Sequence, residues 1–144
     1  MRLWHKDLIP YLPRKQLVAQ WRECCAICSN IANKGTPNHL LVNKIMDYNY
    51  AMFYSYIFLV IGEMLKRGYK INKNSENKCF ENFRKIIERQ YWNFYPTNEI
   101  FENWHDERYL KQCLFNLQEK YDCGGISEEE WLKISNEFGK YLYN

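Results

Sequence analysis

Apolar residues that recur at helical spacing constrain the fold of this chain more than any other feature. Between residues 14 and 32 the steps between them are four, three, four and three. The stripe consists of Leu17, Trp21, Cys24, Cys28 and Ile31. This spacing predicts one buried face of an α-helix, which Gly35 and Pro37 bring to an end.

The opposite side of this helix is polar. Gln16, Gln20 and Glu23 form a second stripe at the same spacing, and Arg22 lies beside it with Lys15 one heptad earlier. A carboxylate beside a guanidinium is usually part of a solvated helix face. Taken alone, these residues favour that interpretation.

Further segments carry a helical pattern, and none alternates strongly enough to build a sheet. We predict helices over about 50–67, 80–92 and 107–121. A short last helix opens at Ser127, which can form a capping box with Glu130. The sequence therefore predicts an all-α fold.

Two connecting segments and the N-terminus lack such a pattern. Residues 70–78 are polar and basic and are predicted to be a loop, whereas 39–49 fit either a helix or an extended segment. Pro10 and Pro13 argue against a helix through the first thirteen residues. We therefore predict an extended N-terminal arm that lies on the body of the protein.

Length and composition fit one folded domain. The chain has 144 residues, of which 47% are hydrophobic and 17% aromatic. That length suits a single domain, and the composition supplies a core and argues against disorder. We expect residues 1–144 to form a single compact domain of about four to five helices, and we expect a monomer.

The sequence predicts neither a membrane span nor a signal peptide. The apolar run 52–60 is followed at once by Gly62, Glu63 and Lys66, so it is too short to cross a bilayer. Lys6 interrupts the region where a signal peptide would be apolar. We expect a cytoplasmic protein with no membrane partner.

Positive charge is concentrated in the first part of the chain. The net charge of +3 is too small on its own to indicate a polyanionic partner. However, residues 1–89 hold 15 Lys and Arg against 7 Asp and Glu, whereas residues 90–144 hold 5 against 10. A surface that faces an anion should therefore be built mainly from residues 1–89.

The six cysteines do not follow a metal-site pattern. Cys25 and Cys28 form one CxxC, but no second CxxC or HxxxH accompanies it. Thiols in an apolar helical stripe are more often core residues, so we predict no metal and no disulfide. The sequence also lacks the GxxxxGK[ST], GxGxxG and HExxH motifs, and we predict no cofactor.

Three stretches of the sequence, taken in order, resemble a known enzyme family. They are Trp21-Arg22-Glu23, residues 63–71 (EMLKRGYKI) and residues 138–143 (FGKYLY). The family is that of the pyrimidine-dimer DNA glycosylases of the phage endonuclease V type. Residues 72–137 have no counterpart in the resemblance.

The resemblance implies a DNA repair enzyme whose nucleophile is a backbone α-amino group. Such an amine ordinarily has a pKa of about 7.7–8.0, against about 10.4 for lysine, so a useful fraction is uncharged at neutral pH. It would attack C1′ of a damaged nucleotide, expel the base and form a Schiff base that permits β-elimination at the abasic site. The implied catalytic residues are Met1 and Glu23, with Glu23 orienting the amine and moving protons.

The implied partner is damaged duplex DNA, such as DNA that contains pyrimidine dimers. The residues that the resemblance assigns to DNA binding are Arg2, Arg22, His39, Lys66, Arg67 and Lys140. No metal and no small-molecule cofactor is implied.

Some residues depart from the family pattern. The bulk of Arg2 should prevent removal of the initiator methionine, so the nucleophile would be the amine of Met1 itself. Gln16 and Ala26 stand where the family can carry a His and a second Arg, which bears on DNA affinity and lesion preference. The alternative is a non-catalytic helical module of the same fold that binds nucleic acid or protein.

Overall fold

The computed structural model describes residues 1–143. Over that range the chain forms five α-helices, two short 3-10 helices and no strand. The α-helices are α1 (Arg14–Lys34), α2 (Tyr50–Lys66), α3 (Lys73–Glu88), α4 (Glu107–Asp122) and α5 (Glu128–Leu142). The 3-10 helices are Lys6–Tyr11 and Asn43–Asp47. The all-α prediction is confirmed, including the number of α-helices.

Helix ends follow local signals in the sequence. The N-cap side chains Asn49, Asn72 and Asp106 each accept a backbone hydrogen bond from the first turn of the helix that follows. The predicted capping box at Ser127 and Glu130 is present. These caps satisfy backbone N–H groups that the helix itself leaves without a partner.

The third helix is shifted from its predicted position. It begins at Lys73, inside the segment predicted as a loop, because the Asn72 side chain caps it through the Ser75 N–H at 3.0 Å. It ends at Glu88, and Gln90 then adopts a positive φ of 53°. The prediction of a loop over 70–78 was therefore wrong from Lys73 onward.

The N-terminal segment is only partly extended. Residues 1–5 have no regular structure, but Lys6–Tyr11 is a 3-10 helix that contains Pro10. Proline fits there because its fixed φ matches that of a 3-10 turn. Leu3 and Leu8 are fully buried. The segment is thus part of the core and does not simply lie on the surface.

Helix α1 occupies the centre of one half of the fold. It packs against α2 and α3, while α4 packs against α5, and the N-terminal 3-10 helix contacts α2 and α5. All members of the predicted apolar stripe of α1 are buried. The residues opposite the stripe are then free to form a surface with the N-terminal segment.

The cysteines are free thiols. Cys28 Sγ and Cys79 Sγ lie 3.7 Å apart and join α1 to α3. Burial raises the pKa of the Cys24 and Cys28 thiols, which keeps them protonated and unreactive. Within residues 1–143, no group of three or more His, Cys, Asp or Glu side chains is arranged to hold a metal ion.

None of the helices in residues 1–143 combines the length and the apolar character needed to span a membrane.

Candidate active site

A cavity of about 810 Å³ lies where the N-terminus, the first half of α1 and the second half of α4 meet. The N-terminal segment contributes Met1, Arg2 and Trp4. Helix α1 contributes Arg14, Lys15, Gln16, Val18, Ala19, Arg22 and Glu23, and α4 contributes Asn116 and Lys120. Four of the predicted site residues, Met1, Arg2, Arg22 and Glu23, therefore face one space.

Side-chain hydrogen bonds fix the N-terminal segment on both sides. The Gln20 amide accepts from the Trp4 N–H at 2.8 Å and donates to the Arg2 carbonyl at 2.9 Å. The Tyr56 hydroxyl donates to the Trp4 carbonyl at 2.6 Å, and the Tyr109 hydroxyl donates to the Leu3 carbonyl at 2.5 Å. The backbone of residues 2–4 is therefore anchored by several hydrogen bonds.

Glu23 is half-buried at the wall of the cavity. One of its carboxylate oxygens accepts from Gln20 Nε2 at 3.3 Å. Within the described residues it makes no direct ion pair with the Met1 amino group. Met1 and Glu23 thus line the same cavity without an ion pair between these two described residues.

The rim of the cavity is positively charged. Arg14, Lys15, Arg22 and Lys120 are all exposed there, and Glu23 is the one acidic side chain among the described lining residues. A concave surface with one sign of charge concentrates ligands of the opposite sign. The cavity is therefore suited to a polyanion.

Arg2 has a constrained position. Its guanidinium lies 5.2 Å from the centre of the Trp4 ring, within the range of a cation–π contact. The Arg2 side chain also approaches Cys113 of α4, where it opposes the effect of burial on the pKa of that thiol. The Arg2 guanidinium is therefore a positive charge at the cavity whose position is restrained by Trp4 and Cys113.

Gln16 provides a polar group without a partner. Its Oε1 is buried and makes no hydrogen bond within the described residues, and the residue lines the cavity. A buried acceptor in this state has a free-energy cost that a ligand donor can remove.

The structure places the other predicted DNA-binding residues outside this cavity. The Arg67 guanidinium donates to the Leu12 carbonyl at 2.7 Å and to the Pro10 carbonyl at 3.0 Å, so it braces the N-terminal 3-10 helix. Lys66 and Arg67 line a second cavity, of about 520 Å³. A DNA-binding role for these two residues stays a prediction.

His39 and Lys140 also lie apart from the cavity. His39 is in the turn before the second 3-10 helix, where its Nδ1 accepts from the Leu41 N–H at 3.3 Å. Lys140 lies over the Tyr141 ring at 4.9 Å and lines a small surface cavity with Glu107 and Lys111. Their DNA-binding role likewise stays a prediction.

Sequence reasoning missed part of the cavity. Lys15 has a signal in the sequence, since it precedes Arg22 by a heptad and so lies on the same helix face. Asn116 and Lys120 had no such signal, because their approach depends on how α4 packs beside the N-terminus. Lys120 also lies in the acidic part of the chain, so local charge pointed away from it.

Comparison with known proteins gives one match. Residues 1–77 match the family model described as pyrimidine dimer DNA glycosylase. No curated protein and no solved structure matches the chain. The matched region contains the N-terminal segment, α1 and α2 and ends within α3, so it includes Met1, Arg2, Arg22 and Glu23 but neither α4 nor α5.

Proposed function

The chain belongs to the pyrimidine dimer DNA glycosylase family, and from this premise we propose that it removes a damaged base from duplex DNA and then cleaves the strand at the abasic site. The observation that carries the proposal is the single cavity shared by Met1, Arg2, Arg22 and Glu23. All four residues lie in the part of the chain that matches the family.

The α-amino group of Met1 is the proposed nucleophile. Its nitrogen lone pair bonds to C1′ of the damaged nucleotide, and the glycosidic bond breaks with its electrons leaving on the base, which takes up a proton. Opening of the sugar ring at O4′ then gives a Schiff base between C1′ and the amine. Loss of a proton from C2′ breaks the C3′–O bond and releases the 3′ phosphate.

Glu23 is the proposed proton-transfer group and the stabiliser of the cationic sugar. A carboxylate in the same cavity as the amine can stabilise positive charge at C1′ and accept or return protons during the later steps.

The cationic rim is the proposed DNA-binding surface. Exposed Arg and Lys side chains contact phosphates without reading the sequence, and Arg14, Lys15, Arg22 and Lys120 surround the opening. An enzyme that reacts at C1′ must kink the duplex and extrude a nucleotide, at a cost of a few kcal/mol that phosphate contacts offset. A cavity of about 810 Å³ is within the size range of ligand sites that enclose a small molecule.

The proposal is tested with a duplex that contains a single cyclobutane pyrimidine dimer and a matched undamaged duplex. We expect strand cleavage at the dimer, an unsaturated aldehyde on the 3′ end of the upstream fragment, a 5′ phosphate on the downstream fragment, and no cleavage of the undamaged duplex. Chelation with EDTA serves as a control for a contaminating metal nuclease and should leave the rate unchanged.

Two results would contradict the proposal. Equal cleavage of damaged and undamaged duplexes would indicate a nuclease. Tight binding of the dimer duplex without any cleavage of the glycosidic bond or of the strand would favour the non-catalytic module.

A further inference from the structure

We infer that Gln20 is a positioning residue, which holds the nucleophile-bearing segment and the Glu23 carboxylate in one arrangement. The inference rests on the proposed function. It concerns a residue that does not contact Met1 itself but is hydrogen-bonded to Glu23 and to Arg2, the residue that follows Met1.

The Gln20 side chain binds the N-terminal segment as a neighbouring strand would. Its Oε1 accepts from the Trp4 N–H at 2.8 Å, and its Nε2 donates to the Arg2 carbonyl at 2.9 Å. In an extended chain, the carbonyl of one residue and the N–H of the residue two positions later point to the same side. One primary amide therefore fixes both groups at once.

The amide is fully buried and fully used. Gln20 is 0% exposed. Its Oε1 also lies 2.9 Å from the Tyr56 hydroxyl oxygen, whose single hydrogen is shared with the Trp4 carbonyl, and its second Nε2 hydrogen is directed at Glu23 Oε2 at 3.3 Å. Two acceptor and two donor sites are the whole capacity of a primary amide. The orientation of the amide is thus determined, because the Trp4 N–H can only donate and the Arg2 carbonyl can only accept.

This contact restricts the position of the proposed nucleophile. The Met1 nitrogen is joined to the Arg2 carbonyl by a planar peptide and a few soft backbone rotations. With the Arg2 carbonyl held, the amine can reach only the positions that these few rotations allow. Reactions of this kind lose about 100-fold in rate when a reacting group is misplaced by about 1 Å.

The same amide restricts Glu23. Gln20 and Glu23 are one turn apart on α1, so their side chains lie on one face of the helix. The bond from Nε2 to Oε2 leaves Oε1 of Glu23 as the oxygen with no partner among the described residues. We infer that Oε1 is the oxygen available to the sugar and the amine.

The experiment uses Gln20→Met, which keeps the size of the side chain and removes the hydrogen bonds to Trp4, Arg2 and Glu23 together with the contact to Tyr56. Single-turnover cleavage of an abasic-site duplex is measured together with the affinity for a duplex that carries a tetrahydrofuran abasic analogue. We expect the cleavage rate to fall by about 10- to 100-fold, with the dissociation constant changed by less than about threefold. A purely structural role would not separate these two quantities.

A matched control accounts for lost stability. Ile86→Val removes a methyl group from the α3 core, away from the cavity. At a temperature well below the melting temperatures of the wild type and of Ile86→Val, the Ile86→Val protein should cleave at the wild-type rate. If Gln20→Met also cleaves at the wild-type rate while the wild-type protein is active, the inference is overturned and the proposed function stands. If the wild-type protein itself shows no reaction, both fail.

A second variant and a second readout cover the case in which Gln20→Met does not fold. Gln20→Glu keeps an oxygen acceptor for Trp4 and Tyr56 and removes the donors to Arg2 and Glu23. We expect the same loss of rate. Hydrogen exchange of the Trp4 amide should be at least tenfold faster in Gln20→Met than in the wild type, without a change at the Cys28 amide in the centre of α1. Unchanged Trp4 exchange would contradict the proposed hold on the segment.

Discussion

Gln20 and Glu23 lie one turn apart on the same face of α1, yet Gln20 is fully buried and Glu23 is only half-buried. The sequence pattern placed both on the polar side of the helix, and that placement is correct. The pattern could not show that the N-terminal segment covers Gln20. The path of that segment depends on the burial of Leu3 and Leu8 in a core built from residues that are distant in the sequence. The difference in burial gives the two residues different roles.

Replacing Glu23 tests the proton-transfer role. Glu23→Gln keeps the size of the side chain and removes its charge and its basicity, so we expect strand cleavage to fall by about 100-fold or more. DNA affinity should change little, because the carboxylate contributes no attraction to phosphate. The measurement is single-turnover cleavage alongside a binding titration. Parallel loss of cleavage and binding would instead mean that Glu23 supports the fold.

Replacing Arg22 tests the phosphate-binding role. Arg22 is an exposed cation at the cavity, so Arg22→Ala should weaken binding to any duplex and lower the slope of log K against log salt by about one. Arg84→Ala, which removes an equally exposed cation from α3, is the matched control and should leave the slope unchanged. Identical slopes for Arg22→Ala and the wild type would exclude a phosphate contact at Arg22.

At the scale of elements, helices with strong caps were predicted well and helices with weak patterns were not. The capping box at Ser127 and the left-handed cap at Gly35 fixed two helix ends from local chemistry alone. The start of α3 was missed because its first residues are polar and exposed, and the N-cap Asn72 was the only local signal. The cavity wall formed by α4 depends on tertiary packing, for which local sequence carries no signal.

Removing the cap of α5 should affect stability without affecting the site. Ser127→Ala deletes the acceptor for the Glu130 N–H and the hydroxyl partner of the Glu130 carboxylate. We expect the free energy of unfolding to fall by about 1 kcal/mol. Asn136→Ala, an exposed change within the same helix, should not destabilise. Chemical denaturation measures both, and equal stability of Ser127→Ala and the wild type would contradict the observed box.

At the scale of the whole molecule, buried histidines join the N-terminus to the turn that precedes α4. His105 Nδ1 accepts from the Lys6 N–H at 2.9 Å, and His5 Nε2 donates to the His105 carbonyl at 2.8 Å. Because Nδ1 of His105 is an acceptor, its proton is on Nε2, which has no partner among the described residues. Burial, together with the nearby charges of His5 and Lys6, lowers the pKa of His105 to about 2.

This arrangement predicts a loss of stability at mildly acidic pH. The unfolded chain binds a proton at His105 as the pH falls through 6.5, whereas the folded chain does not until about pH 2. The free energy of unfolding therefore decreases progressively as the pH falls below 6.5. Between pH 6.5 and 5.5 this one group should lower the free energy of unfolding by about 1 kcal/mol. The effect should fade over the pH unit above 6.5 and vanish above about pH 7.5.

His105→Asn isolates this contribution. Asparagine does not titrate, and its Oδ1 can accept from the Lys6 N–H in place of Nδ1. The free energy of unfolding of the variant should depend less steeply on pH between 6.5 and 5.5 than that of the wild type. This comparison of slopes holds even if the variant and the wild type differ in stability at pH 7.5. Parallel curves would show that His105 is not held neutral.

The proposed reaction depends on a bond between the α-amino group of Met1 and the DNA sugar. The most direct measurement is reduction with borohydride during incubation with an abasic-site duplex, followed by proteolysis and mass spectrometry of the joined peptide. We expect a single covalent complex, with the deoxyribose attached to the nitrogen of Met1. Attachment to the side chain of Lys15 or Lys120, which line the same cavity, would rule out Met1 as the nucleophile, and so would the absence of any complex.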